Sequence, residues 1–249
     1  MSEHMALENL TVLDLTRVLA GPFCTMMLAD MGANVIKIEV PKGGDDTRSY
    51  PPFRAKNLNG ERESVYFANI NRNKKGITLN LKAPEGKEIF KELVKKADIV
   101  VENYRPGVMD KLGLGYDVLK EINPRIIYAA VSGFGCYGPY HLRPGYDILA
   151  QAMGGMMSIT GSKGGEPTRA GSALGDILGG LHVTIGILAA VNARTITGKG
   201  QRVDVSLMDS MIAATENTAL KYIETGNIPA PMGLSLIHIS EPTRPRLIS

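Results

Sequence analysis

The stretch from Leu10 to Val40, LTVLDLTRVLAGPFCTMMLADMGANVIKIEV, sets the fold class. Leu10–Leu15 is a short apolar run. Gly21–Met31 repeats its apolar residues at helical spacing with Pro22 near the start, and Ala33–Val40 alternates and is β-branched. Together they make a βαβ unit. Thr16–Pro22 is then the loop between the first strand and its helix, at the carboxyl end of a strand, where α/β sheets bind ligands. No GxGxxG occurs there, which disfavours a nicotinamide or flavin dinucleotide.

Downstream the alternation continues. Pro41–Ser64 is polar and reads as a long exposed loop of the kind that is functional or mobile. Asn71–Lys82, NRNKKGITLNLK, sets Arg72, Lys74 and Lys75 just before a strand over Ile77–Leu81; these bases form either a solvated turn or a docking point for phosphates. Pro84–Lys96 is an amphipathic helix with Pro in its first turn, Asp98–Tyr104 a strand, Tyr116–Ile122 a short helix and Arg125–Val131 another strand. A long helix ends near Thr197 at a Gly stop, followed by a strand over Arg202–Leu207 and helical spacing over Met208–Thr225. This order predicts an α/β protein with a doubly wound, mostly parallel, Rossmann-like sheet flanked by helices.

At 249 residues, 44% hydrophobic and 21% charged, the chain has the composition of a globular protein. Its 28 basic and 25 acidic residues leave +3, too balanced for a protein whose main partner is nucleic acid. The first residues, MSEHMALENL, lack a secretory pattern, and the longest apolar run, within Ile177–Val191, reads as a core helix too short for a bilayer; the expectation is a cytoplasmic protein with no membrane partner. Cys24 and Cys136 have no ligand spacing and read as buried or inert thiols. No metal is implied, because His4, His182 and His238 have no ligand partners at useful spacing and His141 stands alone in a loop.

Two acidic residues, Asp147 and Asp176, sit in the glycine-rich stretch Arg143–Leu181 where no packing pattern asks for them. Asp176 precedes an apolar run and reads as the first residue of an almost wholly buried helix, its carboxylate held ionised by free N–H groups. A structural cap would explain it. The glycines, including the pairs Gly154-Gly155 and Gly164-Gly165, cost backbone entropy unless something approaches the main chain closely, and a ligand site accounts for both features.

The motifs LDLTRVLAGP, ADMGANVIKIE, NRNKKGITLNLK, ADIVVENYRPGVMDKLG, SGFGCYGP, RPGYDILAQAMGGMMSITG, GDILGG and TGKGQRVDVSLMD, in this order, resemble the class III CoA-transferases and the related α-methylacyl-CoA racemases. The resemblance spans about Leu7 to Met232. It implies a catalytic carboxylate at Asp176 that attacks an acyl-CoA thioester and passes through an acyl anhydride, a CoA thioester and the acceptor's anhydride. It places Tyr146 and Asp147 in the same site. Racemases carry a His-Asp pair there, and a tyrosine is a poor acid/base at neutral pH, so Tyr146 favours transfer over epimerisation.

The resemblance also sets Arg17, Val18, Leu79, Asn103, Tyr104 and Lys111 around coenzyme A, with Lys74, Lys75 and Arg105 added on charge. The formyl-CoA branch resembles His at the place of Arg17 and Gln at that of Leu19, which argues against oxalate or formate as substrate. Acyl-CoA and a small carboxylic acid are the implied substrates, and Arg169 is a candidate for a second carboxylate. Residues 1–232 are expected to form the incomplete CoA-binding and catalytic domain, while 233–249 (GLSLIHISEPTRPRLIS) resemble adapter read-through and a non-native tail. The family's smaller domain and its interlocked homodimer would need more chain, so the expectation for this piece alone is little or no turnover. A CoA-binding module without chemistry is the competing class.

Overall fold

The computed structural model describes residues 4–56, 60, 62–231 and 233; the sequence set apart as a tail lies outside them from residue 234 onward. Its strands are β1 (Thr11–Asp14), β2 (Asn34–Glu39), β3 (Lys75–Thr78), β4 (Ile99–Glu102), β5 (Ile127–Ser132) and β6 (Arg202–Ser206). The helices are α1 (Ala20–Asp30), α2 (Val65–Ile70), α3 (Pro84–Val94), α4 (Val108–Leu112), α5 (Tyr116–Ile122), α6 (Asp147–Met153), α7 (Met156–Ile159), α8 (Leu174–Thr197), α9 (Leu207–Ala214) and α10 (Thr218–Thr225). One sheet runs in the order β3-β2-β1-β4-β5-β6, and every pairing is parallel. The order reverses between β1 and β4, which opens a crevice above their carboxyl ends.

Strict side-chain alternation divides the core into two layers. Val12, Val35, Ile99, Val101, Ile127 and Val203 join the cluster beneath α1 and α8, whereas Leu13, Ile38, Val100 and Tyr128 join Phe90 and Leu119 of α3 and α5. Because both faces are covered there, the central strands β1, β4 and β5 read as near-continuous apolar runs.

Several boundaries differ from expectation. The strand predicted over Ile77–Leu81 lies at Lys75–Thr78, because β3 is an edge whose register with β2 matches Ile36 to Lys75. The helix predicted over Met208–Thr225 is two, broken where Glu216 takes a left-handed φ of 52° in a polar Thr-Glu-Asn run. The long polar loop contains a 3-10 turn over Asp46–Ser49, and Asp45 and Thr47 within it are buried.

The helix expected to start at Asp176 starts two residues earlier, with Ala173 at its cap position. Nor is α8 wholly buried: Val183, Thr184, Ile187 and Ala190 face inward while Ile185 and Ile196 are exposed. Its 24 residues are long and apolar enough by length and composition to cross a bilayer, contrary to the shorter run read from sequence, and 39% of its apolar window is buried inside the fold. Glycine lets it approach α1, since a Cβ on Gly180 would stand 2.7 Å from the Ala20 carbonyl oxygen.

Candidate active site

At the switch point the loops after β1 and β4 are tied together. The Arg17 N–H donates to Asn103 Oδ1 at 2.8 Å, and Asn103 Nδ2 donates to the Arg17 carbonyl at 2.7 Å. Val18 follows in a left-handed conformation, φ 67°, that is costly for a β-branched residue, and its N–H donates to Asp45 Oδ1 at 3.3 Å. Tyr104 is half-buried beside Arg17, its hydroxyl pushed up to about 12 by burial and by Glu102. Arg17 pairs with Asp46 and lines an open depression of about 530 Å³ with Val40, Gly43, Gly44 and Arg48, a size suited to a nucleotide.

Buried charges hold this rim. Lys37 Nζ donates to the Thr16 carbonyl and to Asp45 Oδ2, both at 2.9 Å, with Lys37 and Asp45 side chains almost fully enclosed. Glu39 accepts the Asp45 N–H at 2.8 Å and a bidentate pair from Arg48 at 2.7 Å. The polar loop is therefore stapled to the carboxyl end of β2. Burial alone would raise the Asp14 carboxyl, but Lys74, Lys37 and the Thr16 and Thr25 hydroxyls hold it down at about 2.

The catalytic candidates lie in the first turns of α6 and α8. At the far end of α8, Arg194 binds Asp98 and the Arg125 carbonyl at the amino ends of β4 and β5. Asp176 is 18 positions earlier, about 27 Å along the axis, and so belongs to the carboxyl side of the sheet. Asp147 Oδ1 accepts the Gly175 N–H at 2.8 Å, and Asp147 Oδ2 accepts Gln151 Nε2 at 2.8 Å. Gln151 is fully buried; its Oε1 accepts the Ala170 N–H at 2.8 Å, and its Nε2 also reaches the Ser172 carbonyl at 3.3 Å.

These contacts correct two expectations. Asp147, not Asp176, caps α8, and Asp176 is not held ionised by N–H groups: burial, then the Asp147 charge, pushes its carboxyl up to about 6. The nearby glycines serve packing first, because a Cβ on Gly175 would lie 3.2 Å from Asp147 Oδ1, and one on Gly179 would strike Leu207. Tyr146 precedes α6 and is 68% exposed. Arg169 is exposed in the loop held by Gln151, its Nε donating to the Ala170 carbonyl at 3.1 Å.

The remaining candidates separate by position. Leu79 follows the carboxyl end of β3, where its N–H donates to the Glu39 carbonyl at 2.9 Å; Arg105 and Lys111 are exposed in the turn and helix that follow β4. Lys74 is not a phosphate-docking charge on the surface: its side chain is buried and its Nζ donates to Asp14 Oδ2, the Pro22 carbonyl and Asn71 Oδ1 at 2.9–3.0 Å, filling all three donors. Lys75 binds Asn34 Oδ1 at 2.8 Å at the amino ends of β2 and β3, away from the crevice. Among the described residues no group of three or more His, Cys, Asp or Glu side chains is arranged to hold a metal.

Sequence reasoning missed Asp14, Lys37, Asp45, Gln151 and Tyr66. The last, half-buried on α2, lies within electrostatic reach of Asp176: burial and then the Asp176 charge raise its hydroxyl to about 12. A signal existed for Asp14 and Lys37, since a charge in a strand of a sheet covered on both faces must find a buried partner.

Over residues 7–241 the sequence matches the family described as CoA-transferase family III. It is 47% identical over 92% of the chain to a succinyl-CoA:mesaconate CoA-transferase of Haloarcula marismortui, covering 59% of that protein. To an acetyl-CoA:oxalate CoA-transferase of Acetobacter aceti it is 48% identical over 91% of the chain and 57% of the relative. A crystal structure of a CAIB/BAIF family protein from Brucella suis superposes with a TM-score of 0.88 at 44% identity, over 93% of this chain and 61% of that one. The chain thus spans less than two thirds of the length of these proteins.

Proposed function

The chain belongs to CoA-transferase family III, and from that premise we propose that it supplies the nucleophile and the CoA-binding rim of an enzyme that moves coenzyme A from an acyl-CoA to a carboxylic acid. The observation that carries the reading is Asp176, a partly desolvated carboxylate beside Asp147 in the first turn of α8, on the same side of the sheet as the Arg17–Asn103 crevice. A carboxylate attacks a thioester poorly in water, so partial burial and fixed partners are the means by which such a group becomes competent.

The steps balance as two exchanges. The Asp176 carboxylate attacks the acyl-CoA carbonyl and expels CoA thiolate, leaving an acyl–aspartyl anhydride. Thiolate attack at the aspartyl carbonyl releases the donor acid and leaves an aspartyl-CoA thioester. The acceptor carboxylate then displaces the thiolate, and thiolate attack on the acceptor's acyl carbon forms the new acyl-CoA and restores Asp176. Asp147 orients the α8 N-terminus, Tyr146 lines the acid's approach, and Arg17, Val18, Leu79, Asn103, Tyr104, Arg105 and Lys111 flank the CoA.

Mesaconate and oxalate, named in the relatives, are both dicarboxylates, which supports a small dicarboxylic acceptor with Arg169 at its second carboxylate. The exposed apolar side chains Tyr146, Ile148, Leu149 and Met153 around α6 fit a surface covered in a homodimer of the complete protein, acting in the cytoplasm. Mass spectrometry of the complete protein incubated with succinyl-CoA tests the reading: an adduct on Asp176 supports it, and turnover with Asp176 unmodified overturns it.

A further inference from the structure

We propose that Gln151, which no part of the transfer chemistry touches, is the positioning residue that fixes Asp147 across the N-terminus of α8 and thereby sets the working state of Asp176. The inference rests on Asp176 being the nucleophile.

The orientation of the Gln151 carboxamide is not arbitrary. Its oxygen faces a donor, the Ala170 N–H at 2.8 Å, so its nitrogen must face Asp147 Oδ2 at 2.8 Å and the Ser172 carbonyl at 3.3 Å. One fully buried amide thus reads three groups: the α6 carboxylate four residues back and both ends of the segment leading into α8. Asp147 spends its other oxygen on the Gly175 N–H, the residue before Asp176. The chain of bonds Ala170–Gln151–Asp147–Gly175 therefore closes a ring around the entry to α8, and the carboxylate in it is the charge that acts on Asp176.

Leucine or methionine would fill the same space without placing that charge. A packing role asks only for volume; a positioning role asks for a donor toward Asp147 and an acceptor toward Ala170 at once. Other titratable groups on the surrounding elements are Tyr66 on α2, Arg169 in the supporting loop, the exposed Asp209 on α9, Cys24 on α1, Arg202 and Asp204 on β6, Tyr128 on β5, and His182 and Arg194 further along α8. Apart from burial, Asp147 is the group that shifts Asp176.

Glutamate at this position separates the roles. Protonated, it keeps one donor and one acceptor in the amide's places; ionised, it sets a second negative charge against Asp147. In the complete protein with succinyl-CoA and a dicarboxylate acceptor, Gln151→Met should lower kcat by ten- to a hundredfold, leave KM for succinyl-CoA within about twofold, and move the acid limb of kcat to lower pH. Gln151→Glu should add a falling alkaline limb absent from the parent enzyme. If Gln151→Met turns over within twofold of the parent with its acid limb unmoved, or Gln151→Glu shows no alkaline limb while remaining folded, the proposal is wrong. The adduct on Asp176 is followed in parallel. No adduct in the parent enzyme defeats the nucleophile assignment, whereas an adduct formed equally fast in parent and Gln151→Met defeats the role of Gln151 alone.

Discussion

The carboxamide of Asn103 holds the backbone of Arg17 on both sides, accepting from its N–H at 2.8 Å and donating to its carbonyl at 2.7 Å across the point where the strand order reverses. The two residues are 86 positions apart, and the bonds fix the loop that carries the strained Val18. Strain of this kind persists only where surrounding structure over-determines it.

Asn103→Ala should therefore release that loop and weaken CoA binding more than chemistry. Two net hydrogen bonds are worth about 1 kcal/mol each, about 2 kcal/mol together, so KM for acyl-CoA should rise about thirtyfold with kcat little changed. Initial-rate kinetics on the complete protein read the split directly.

Asp176 sets an acid limit on rate and a cost in stability. Only the ionised form attacks, so formation of the aspartyl adduct should fall as pH drops through about 6. The stability linkage has the opposite sign. A carboxyl whose folded value lies above the unfolded 3.8 binds protons more tightly when folded, so it costs stability above pH 6 and the cost disappears as pH falls toward 4. Asp176→Asn should then abolish turnover while stabilising the fold at pH 8 by about 2–3 kcal/mol, visible as a higher denaturant midpoint.

Much of this architecture was legible in the residues. The switch from apolar runs to helical spacing located the strands of the sheet, and the Thr16–Pro22 loop falls at the crevice because strand carboxyl ends must. What sequence could not supply was the pairing of charges across distance: Lys37 alternates along β2 like a solvent-facing residue, yet meets Asp45 only after the polar loop folds back. For the same reason Asp176, and not Asp147, reads from sequence as the carboxylate held by the free N–H groups at the start of α8. The true cap is 28 residues from the N–H it accepts, and no local pattern records that.

The buried Asp14–Lys74 pair should behave as a structural clamp. Lys74→Met would leave Asp14 enclosed and short of a partner, at a cost of about 3–5 kcal/mol, and Asp14→Asn in the same chain should recover part of it. Asp14 has a folded value near 2, below its unfolded 3.8, so its contribution is present above pH 4 and lost as pH falls toward 2. Urea titrations of parent and variants between pH 2 and 7 measure both effects; an unchanged midpoint in Lys74→Met would remove the clamp from the account.

Arg17 and Lys75 offer the sharpest contrast, because charge alone treats them alike while the fold sets them at opposite ends of the sheet. Arg17 follows the carboxyl end of β1 and borders the open depression; Lys75 opens β3 and binds Asn34 at the amino end of β2. Arg17 is already neutralised in part by Asp46, so a phosphate must compete with that exposed pair, and such pairs are worth about 1 kcal/mol or less. Arg17→Ala should accordingly raise the Kd for CoA about tenfold and weaken its salt dependence, whereas Lys75→Ala should leave both within twofold. Isothermal titration of CoA at two salt concentrations decides between them. Equal losses in the two variants would mean that the nucleotide does not enter from the carboxyl side of the sheet.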